Sequence, residues 1–396
     1  MSRMLEGVRV LDLTQAYSGP FCCMHLADQG AEVIKIEPPI GDQTRTWGPI
    51  INDYSGYFSY FNRGKRGIVL NLKEEEGKEA LRKLIKTADV VIENFKAGTF
   101  ARLGFTYESM KEIKPDIIYG QISGFGREGP NSHRAAYDII AQAESGLMSI
   151  TGYPENPPIT TGPAVADNYT GTYLSLAVTM ALYRRSQTGE GCHVDVAMVD
   201  AMFSILDTAV PQYTMLGKIR TRNGFSGGTL IPWGMYEAKD GYFVTGCGVD
   251  KHWKSFSAVM GMEELTNDPD YETGVQRAEK SDYIDNRINE YAANLTLEEI
   301  EKKLLDVQVP FGRVRDIKQA TESAQTKARN MIWEIPDPGL DTVYKIPGTP
   351  MKFRDHDDAP TISAPMLGQH SEEILKEVGY SEEEITALKE KGVTNW

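Results

Sequence analysis

Val8-Arg9-Val10-Leu11-Asp12-Leu13 is a short, mostly apolar run of strand length. The turn Thr14-Gln15-Ala16-Tyr17-Ser18-Gly19-Pro20 follows it, and Gly30-Ala31-Glu32-Val33-Ile34-Lys35-Ile36-Glu37 comes next. Between them, residues 20–29 read as a helix, with Pro20 in the first turn and Gly30 just past the end. Residues 32–37 read as a second strand. Outward from this unit the pattern repeats. Further strands are expected at 68–72, 89–92 and 117–122, with helices at 74–87 and 107–113 between them. Strands alternating with helices imply an α/β fold, a parallel sheet with helices on both faces.

The apolar-rich segment 168–186 reads as a long helix, closed by Arg184-Arg185 and then Gly189. A strand at 193–197 and a helix at 199–216 are expected after it. Near residue 217 the character changes. Lys218 to Arg222 is basic and the stretch to Gly228 is glycine-rich, which reads as a linker plus loop. Asp240-Gly241 before Tyr242-Phe243-Val244 is a hairpin signal. Thr296 with Glu299 makes a capping box, Leu295 and Ile300 a hydrophobic staple, and Ser381 with Glu384 a second box. The expected organisation is a large domain at 1–216 and a smaller α+β domain at 225–325. Residues 326–396 then form a return linker and tail that completes the large domain.

Composition narrows the function classes. The 396 residues carry a formal net charge of −14, with 41% hydrophobic and 25% charged residues. That is globular composition, and the acidic balance argues against nucleic acid or an anionic membrane as partner. Cys22 and Cys23 are adjacent, while Cys192 and Cys247 stand apart. This is neither a disulfide framework nor a metal-ligand spacing, so no metal is expected and a reducing, cytoplasmic setting is the simpler reading. No apolar run is long enough to span a bilayer.

Candidate chemistry is sparse. Glu37 ends the second strand where a ribose-binding acid would sit in a dinucleotide fold. The turn before the first helix, however, has no G-x-G-x-x-G, and Pro20 removes an N–H that would hold phosphate. Asp167 follows the Pro- and Gly-rich stretch 154–163 and opens the long helix. It reads either as a plain N-cap or as a carboxylate kept ionised by the helix end and able to attack an activated acyl group. The pattern alone leaves both open. Arg45, Arg63, Lys65, Arg66, Lys73, Lys96 and Arg102 spread basic charge over the first domain. If several converge at the carboxyl ends of the strands, they suit a phosphorylated ligand.

The motifs, taken together and in order, resemble the family III CoA-transferases, which include formyl-CoA:oxalate and L-carnitine CoA-transferases and the related α-methylacyl-CoA racemases. Leu5 to Asp12, Gly30 to Glu37 and Asn62-Arg63-Gly64-Lys65-Arg66 carry the resemblance first. Leu70-Asn71-Leu72-Lys73, Glu93-Asn94-Phe95, Arg102-Leu103-Gly104-Phe105 and Ile122 to Gly126 continue it. Ala166-Asp167, Thr188-Gly189-Glu190-Gly191 and Ala364 to His370 complete it. The resemblance implies that Asp167 is the nucleophile. It would attack a donor thioester to give an aspartyl anhydride, which the CoA thiolate converts to an aspartyl-CoA thioester open to an acceptor acid. Coenzyme A, as acyl-CoA, and a small carboxylic acid are the implied substrates, with a lean toward carnitine-type acids.

Implied CoA contacts are Tyr17, Ser18, Leu70, Asn71, Leu72, Lys73, Asn94, Phe95, Lys96, Arg102, Ala135, Ala136, Tyr137 and Asp138. Trp47, Tyr57 and Tyr137 fall near the acyl site, and Gly227-Gly228, the candidate lid, stand where the family member acting on oxalate has a longer glycine run. The family fold implies a Rossmann-like large domain and two chains threaded as an interlocked homodimer. The racemase branch has a histidine where this chain has Tyr137, a poor proton shuttle at neutral pH, so transfer is favoured over racemisation. A CoA-binding protein without catalysis is the remaining alternative.

Overall fold

A computed structural model describes residues 3–224, 230–336, 343–356 and 362–396. The chain divides into two compact units. One comprises Met1–Ser149, Ile159–Arg220 and Ala328–Trp396, and the other Ile150–Pro158 and Thr221–Lys327.

The first unit is built on β1 (Arg9–Asp12), β2 (Glu32–Glu37), β3 (Ile50–Ile51), β4 (Tyr54–Ser55), β5 (Arg66–Val69), β6 (Val90–Glu93), β7 (Ile118–Ser123) and β8 (His193–Ala197). β3 and β4 form a small antiparallel pair. The other six make one all-parallel sheet in the order β5-β2-β1-β6-β7-β8. Val10, Leu11, Ile34, Ile68, Val91 and Ile92 are wholly buried, as a parallel sheet covered on both faces requires. The chain runs from β1 outward to β2 and β5, then returns to the other side of β1 for β6, β7 and β8. The order therefore reverses between β1 and β6. In open α/β sheets the crevice outside the carboxyl ends of the strands at such a reversal is where ligands bind.

Two helices flank that crevice. The first, Ser18–Asp28, packs against the long helix Val165–Thr188. The long helix ends at Gly189, whose φ of 73° is the left-handed turn that a glycine allows. The expected single helix at 199–216 is two, Met198–Ser204 and Ala209–Leu216, broken where Asp207 takes a φ of 55°. The tail helices Ser371–Glu377 and Glu382–Glu390 add Ile374, Leu375, Ile385 and Leu388 to the core under β5 and β1. The Ser381–Glu384 capping box is present.

The second unit holds the antiparallel sheet β9 (Trp233–Ala238), β10 (Gly241–Gly246) and β11 (Phe311–Arg313), in the order β11-β10-β9. Its core gathers Phe243, Trp253, Phe256, Ile284, Ile288, Ile300 and Leu304. Thr296 and Glu299 cap the helix Leu297–Asp306 reciprocally. Ile150–Pro158 joins this unit through Gly224 N–H to the Gly152 carbonyl at 3.0 Å. Back in the first unit, β12 (Ile332–Pro336) and β13 (Val343–Pro347) form a hairpin.

Candidate active site

The crevice at the strand reversal is a cavity of about 520 Å³. Its walls come from the segments after β1, β2, β6 and β7 and from the starts of five helices. The β1 loop is fixed by buried charges. Asp12 accepts from the Thr14 backbone N–H at 2.9 Å and the Thr14 hydroxyl at 2.5 Å. Lys65 donates to Asp12 at 2.8 Å and to Asn62 at 2.9 Å. Lys35 donates to the Thr14 carbonyl at 2.6 Å and to Asp42 at 2.8 Å. Asp12, Lys35 and Lys65 are all within the interior. Burial alone would raise the Asp12 pKa, but the Lys65 and Lys35 cations overcome it and bring it down to about 2. The same Lys35–Asp42 pair fixes the segment that carries Gln43 and Trp47 into the wall. Glu37, a candidate ribose ligand on sequence, instead pairs with Arg45 at 2.6 Å and accepts from the Asp42 N–H at 2.8 Å. Its charge is already matched, which removes the dinucleotide reading.

Beyond Thr14 the loop turns at Ala16, which has a φ of 66°. A non-glycine residue there is strained by about 1 kcal/mol or more, which the surroundings must hold in place. They do so through Asn94: Gln15 N–H donates to its Oδ1 at 2.8 Å, and its Nδ2 donates to the Gln15 carbonyl at 2.7 Å. The loops after β1 and β6 are thus clamped across the reversal point.

Asp167 lies on the cavity wall. The helix begins at Val165, so Asp167 is its third residue and not its N-cap, and the Ala164 cap position has no side-chain hydrogen bond. The helix end is satisfied from elsewhere. Asp138 Oδ1 accepts from Ala166 N–H at 2.7 Å and lies 3.4 Å from Asp167 N. Ser18, through its backbone N–H and hydroxyl, comes close enough to the Asp167 carboxyl to lower its pKa. Gly171, one turn on, makes this approach possible. A Cβ there would sit 2.5 Å from the Ser18 carbonyl oxygen and 3.2 Å from the Cys22 nitrogen. Only glycine lets the two helices close until Ser18 meets Asp167.

The electrostatics differ from the sequence expectation. A helix N-terminus was expected to keep Asp167 ionised. Burial and then the neighbouring Asp138 charge push its pKa up to about 7, against the Ser18 hydrogen bonds, which lower it. A helix dipole contributes about 0.3–1 kcal/mol, too little to outweigh desolvation and a like charge. The phenols share the field. Burial first, then Tyr60, lift Tyr17 to about 12; burial and then the Asp167 charge lift Tyr57 further. Both remain neutral donors. Tyr17, Tyr57, Phe61 and Trp47 form an aromatic wall, with Tyr17 and Phe61 ring centroids 4.2 Å apart.

Of the residues named from sequence, Tyr17, Ser18, Trp47, Tyr57, Asn94, Phe95, Lys96, Ala136, Tyr137, Asp138 and Asp167 line this one cavity. The others do not. The expected strand at 68–72 is Arg66–Val69, so Leu70, Asn71, Leu72 and Lys73 form the loop at its carboxyl end. Leu70 is 1% exposed and packs in the core, which leaves a ligand only its backbone. Asn71 donates its N–H to the Val393 carbonyl at 2.7 Å and accepts from Lys73 N–H at 3.2 Å. Leu72 packs on the core, Lys73 is exposed, and Ala135 is exposed just ahead of the cavity. Exposed Arg102 donates to Thr99 at 2.9 Å. Gly227 and Gly228 lie outside the described residues. Gln15, Gln43, Ser123, Gly124, Ile139 and Met198 also line the wall and were not singled out. Gln15 lies in the quoted turn after β1 and Ser123 and Gly124 in the quoted stretch Ile122 to Gly126, which was the available signal.

The family model for CoA-transferase family III matches residues 5–371. The succinyl-CoA:mesaconate CoA-transferase of Haloarcula hispanica is 38% identical over 385 residues, covering 95% of this chain and 96% of that protein. The acetyl-CoA:oxalate CoA-transferase of Acetobacter aceti is 38% identical, covering 94% of this chain and 95% of that protein. The crystal structure of a CAIB/BAIF family protein from Brucella suis superposes with a TM-score of 0.85 at 35% identity, covering 96% of this chain and all of that one. The chain belongs to CoA-transferase family III. Its class of reaction is therefore the transfer of CoA between an acyl-CoA and a carboxylic acid.

Proposed function

We propose that this enzyme moves CoA from an acyl-CoA to a short dicarboxylic acid through covalent intermediates on Asp167. The observation that carries the reading is the Asp167 carboxyl on the cavity wall, near Ser18 and with no ion pair among the described residues. The Asp167 oxygen attacks the donor thioester carbon, the C–S bond breaks, and CoA thiolate leaves an aspartyl-acyl anhydride. The thiolate then attacks the aspartyl carbonyl, freeing the donor carboxylate and leaving an aspartyl-CoA thioester. The acceptor carboxylate attacks that thioester and expels the thiolate again. Attack of the thiolate on the acceptor acyl carbon gives the new acyl-CoA and restores the Asp167 carboxylate. Each step exchanges one acyl bond for another, so the thioester's free energy is kept.

Water must be held off these intermediates, and the aromatic wall of Tyr17, Tyr57 and Trp47 supports that. Lys96 lines the same cavity, Lys73 stands on the exposed loop after β5, and Arg102 ends the short helix Thr99–Arg102. They are the candidate cations for the CoA phosphates. The dicarboxylate class rests on mesaconate and oxalate in the names of the two relatives and on the neutral donors Gln15, Gln43 and Tyr57 in the wall.

The chain further acts as a homodimer in this reading. Tyr169, Tyr173, Leu176, Met180 and Tyr183 recur at four- and three-residue spacing along the long helix and are all exposed in the single chain. Such a stripe suits burial against a second copy. Its unpaired cysteines fit a reducing cytoplasm.

The test is a quench with hydroxylamine during turnover of succinyl-CoA with mesaconate or oxalate. A hydroxamate on Asp167 and loss of transfer by about 10³-fold or more in Asp167→Ala are expected. Full activity in Asp167→Ala would falsify the mechanism. Sedimentation of the protein as a monomer at micromolar concentration would remove the dimer.

A further inference from the structure

Asp138, which the family resemblance implied only as a CoA contact, has a second place in this site. Both of its carboxylate oxygens are engaged. Oδ1 accepts from Ala166 N–H at 2.7 Å and lies 3.4 Å from Asp167 N. Oδ2 accepts from Gln142 Nε2 at 2.6 Å. Gln142 is buried and its Oε1 accepts from Thr161 N–H at 3.0 Å. A relay from Thr161 through Gln142 thus holds one carboxylate against the opening N–H groups of the helix that carries the other.

We propose that Asp138 is a positioning residue for the transfer reaction: it occupies the helix N-terminus with its own charge, so that Asp167 is held in register yet kept basic enough to attack. The proposal rests on the reading of Asp167 as nucleophile. Its logic is electrostatic. An unoccupied helix end would draw charge onto Asp167 and make it a weaker nucleophile. With Asp138 there, two like charges share one helix end. Attack on the thioester relieves the clash, because Asp167 becomes a neutral acyl group and the negative charge departs as CoA thiolate. The same relief applies to the aspartyl-CoA thioester. The raised pKa of Asp167, caused first by burial and then by Asp138, agrees in direction.

Among the described residues, the remaining groups facing Asp167 are few. The first helix presents Ser18, which lowers the carboxyl's pKa. Tyr17 comes from the loop before that helix and donates to Asn168 at 3.0 Å. The helix Gly56–Asn62 presents Tyr57, and the loop after β6 presents Lys96 on the same cavity. Tyr17 and Tyr57 are neutral, Ser18 works against the effect, and Lys96 is exposed and open to solvent screening. Asp138 is the neighbour whose charge carries the right sign.

The test follows the Asp167 carboxyl by ¹³C NMR in full-length enzyme labelled at aspartate carboxyls, assigned by loss of its signal in Asp167→Asn. Hydroxamate formation from succinyl-CoA is followed from pH 5 to 9 in parallel. In Asp138→Asn the carboxyl midpoint should fall by about 1–3 pH units. The acid limb of hydroxamate formation should fall with it, and kcat should drop more than KM for the acceptor changes. Asp138→Glu, which keeps the charge, should hold the midpoint near wild type. If Asp138→Asn does not fold, Gln142→Met serves: with Asp138 less shared, the midpoint should rise. An unmoved midpoint in Asp138→Asn, or a midpoint that falls in Gln142→Met, overturns the proposal and leaves Asp138 a plain helix cap. A midpoint that moves while the acid limb stays put supports the coupling and instead removes Asp167 as nucleophile.

Discussion

Asp12 and Asp167 sit at the same end of one sheet, and both are largely buried. Their environments push them in opposite directions. Asp12 faces the Lys65 and Lys35 cations and is brought down to about 2; Asp167 faces Asp138 and is pushed up to about 7. Under the proposed mechanism, the difference separates a charge that builds the fold from one that is held ready to react. A buried ion is tolerated when its partner is buried with it. A nucleophile has to be left without such a partner, or it would not share its electrons.

The largest expected effect breaks the matched side. Asp12→Ala leaves Lys65 buried without its counter-ion, while Lys35 keeps Asp42, and removes two bonds to Thr14. A loss of about 3–5 kcal/mol by urea unfolding is expected. A loss under 1 kcal/mol would mean the pairing is not what fixes the β1 loop.

Next comes the unmatched side, where the sign reverses. The folded Asp167 carboxyl holds a proton that the unfolded chain has already lost between about pH 4 and 7. Its contribution therefore makes stability fall as pH rises through that window. Asp12 does the reverse, adding stability above about pH 4 that is lost as pH falls through about 2. Asp167→Asn should raise stability at pH 8 by at most about 4 kcal/mol and flatten its pH dependence between 4 and 7. A variant less stable than wild type at pH 8 would contradict this account of the site.

A smaller effect tests the contact that positions Asp167. Gly171→Ala puts a methyl against the Ser18 carbonyl and must part the two helices. It should cost about 1–3 kcal/mol and reduce transfer with little change in KM for the CoA donor. Normal kcat in that variant would show that the Ser18 approach does not set the geometry. The smallest effect is expected from Ser18→Ala, which removes the hydroxyl near Asp167 but keeps the backbone N–H. The Asp167 midpoint should rise by about one pH unit or less, opposite to Asp138→Asn. A fall would show that the hydroxyl stabilises the neutral form.

Much of this was legible in the chain. Apolar periodicity marked the parallel strands, since a strand covered on both faces has to be apolar along its length. Gly189 and the two capping boxes marked helix ends, because those conformations and hydrogen bonds are local. Asp167 was singled out by its place before a long helix, and eleven of the named residues share its cavity wall. The errors were also physical. The helix start was read three residues late, which made Asp167 look like a cap. The helix at 199–216 was read through a break that only the φ of Asp207 reveals. Leu70 carried a motif, but its side chain belongs to the core.

The sequence by itself determined the alternation of strands and helices, the family, and which carboxylate to examine, since each depends on residues near one another in the chain. Tertiary structure decided the order β5-β2-β1-β6-β7-β8, which places the crevice between β1 and β6. It also decided that Asp138, 29 residues away, and Ser18, on the first helix, meet at Asp167. A carboxylate's charge state depends on burial and on every charge within a few ångströms. Those distances exist only once the chain has folded.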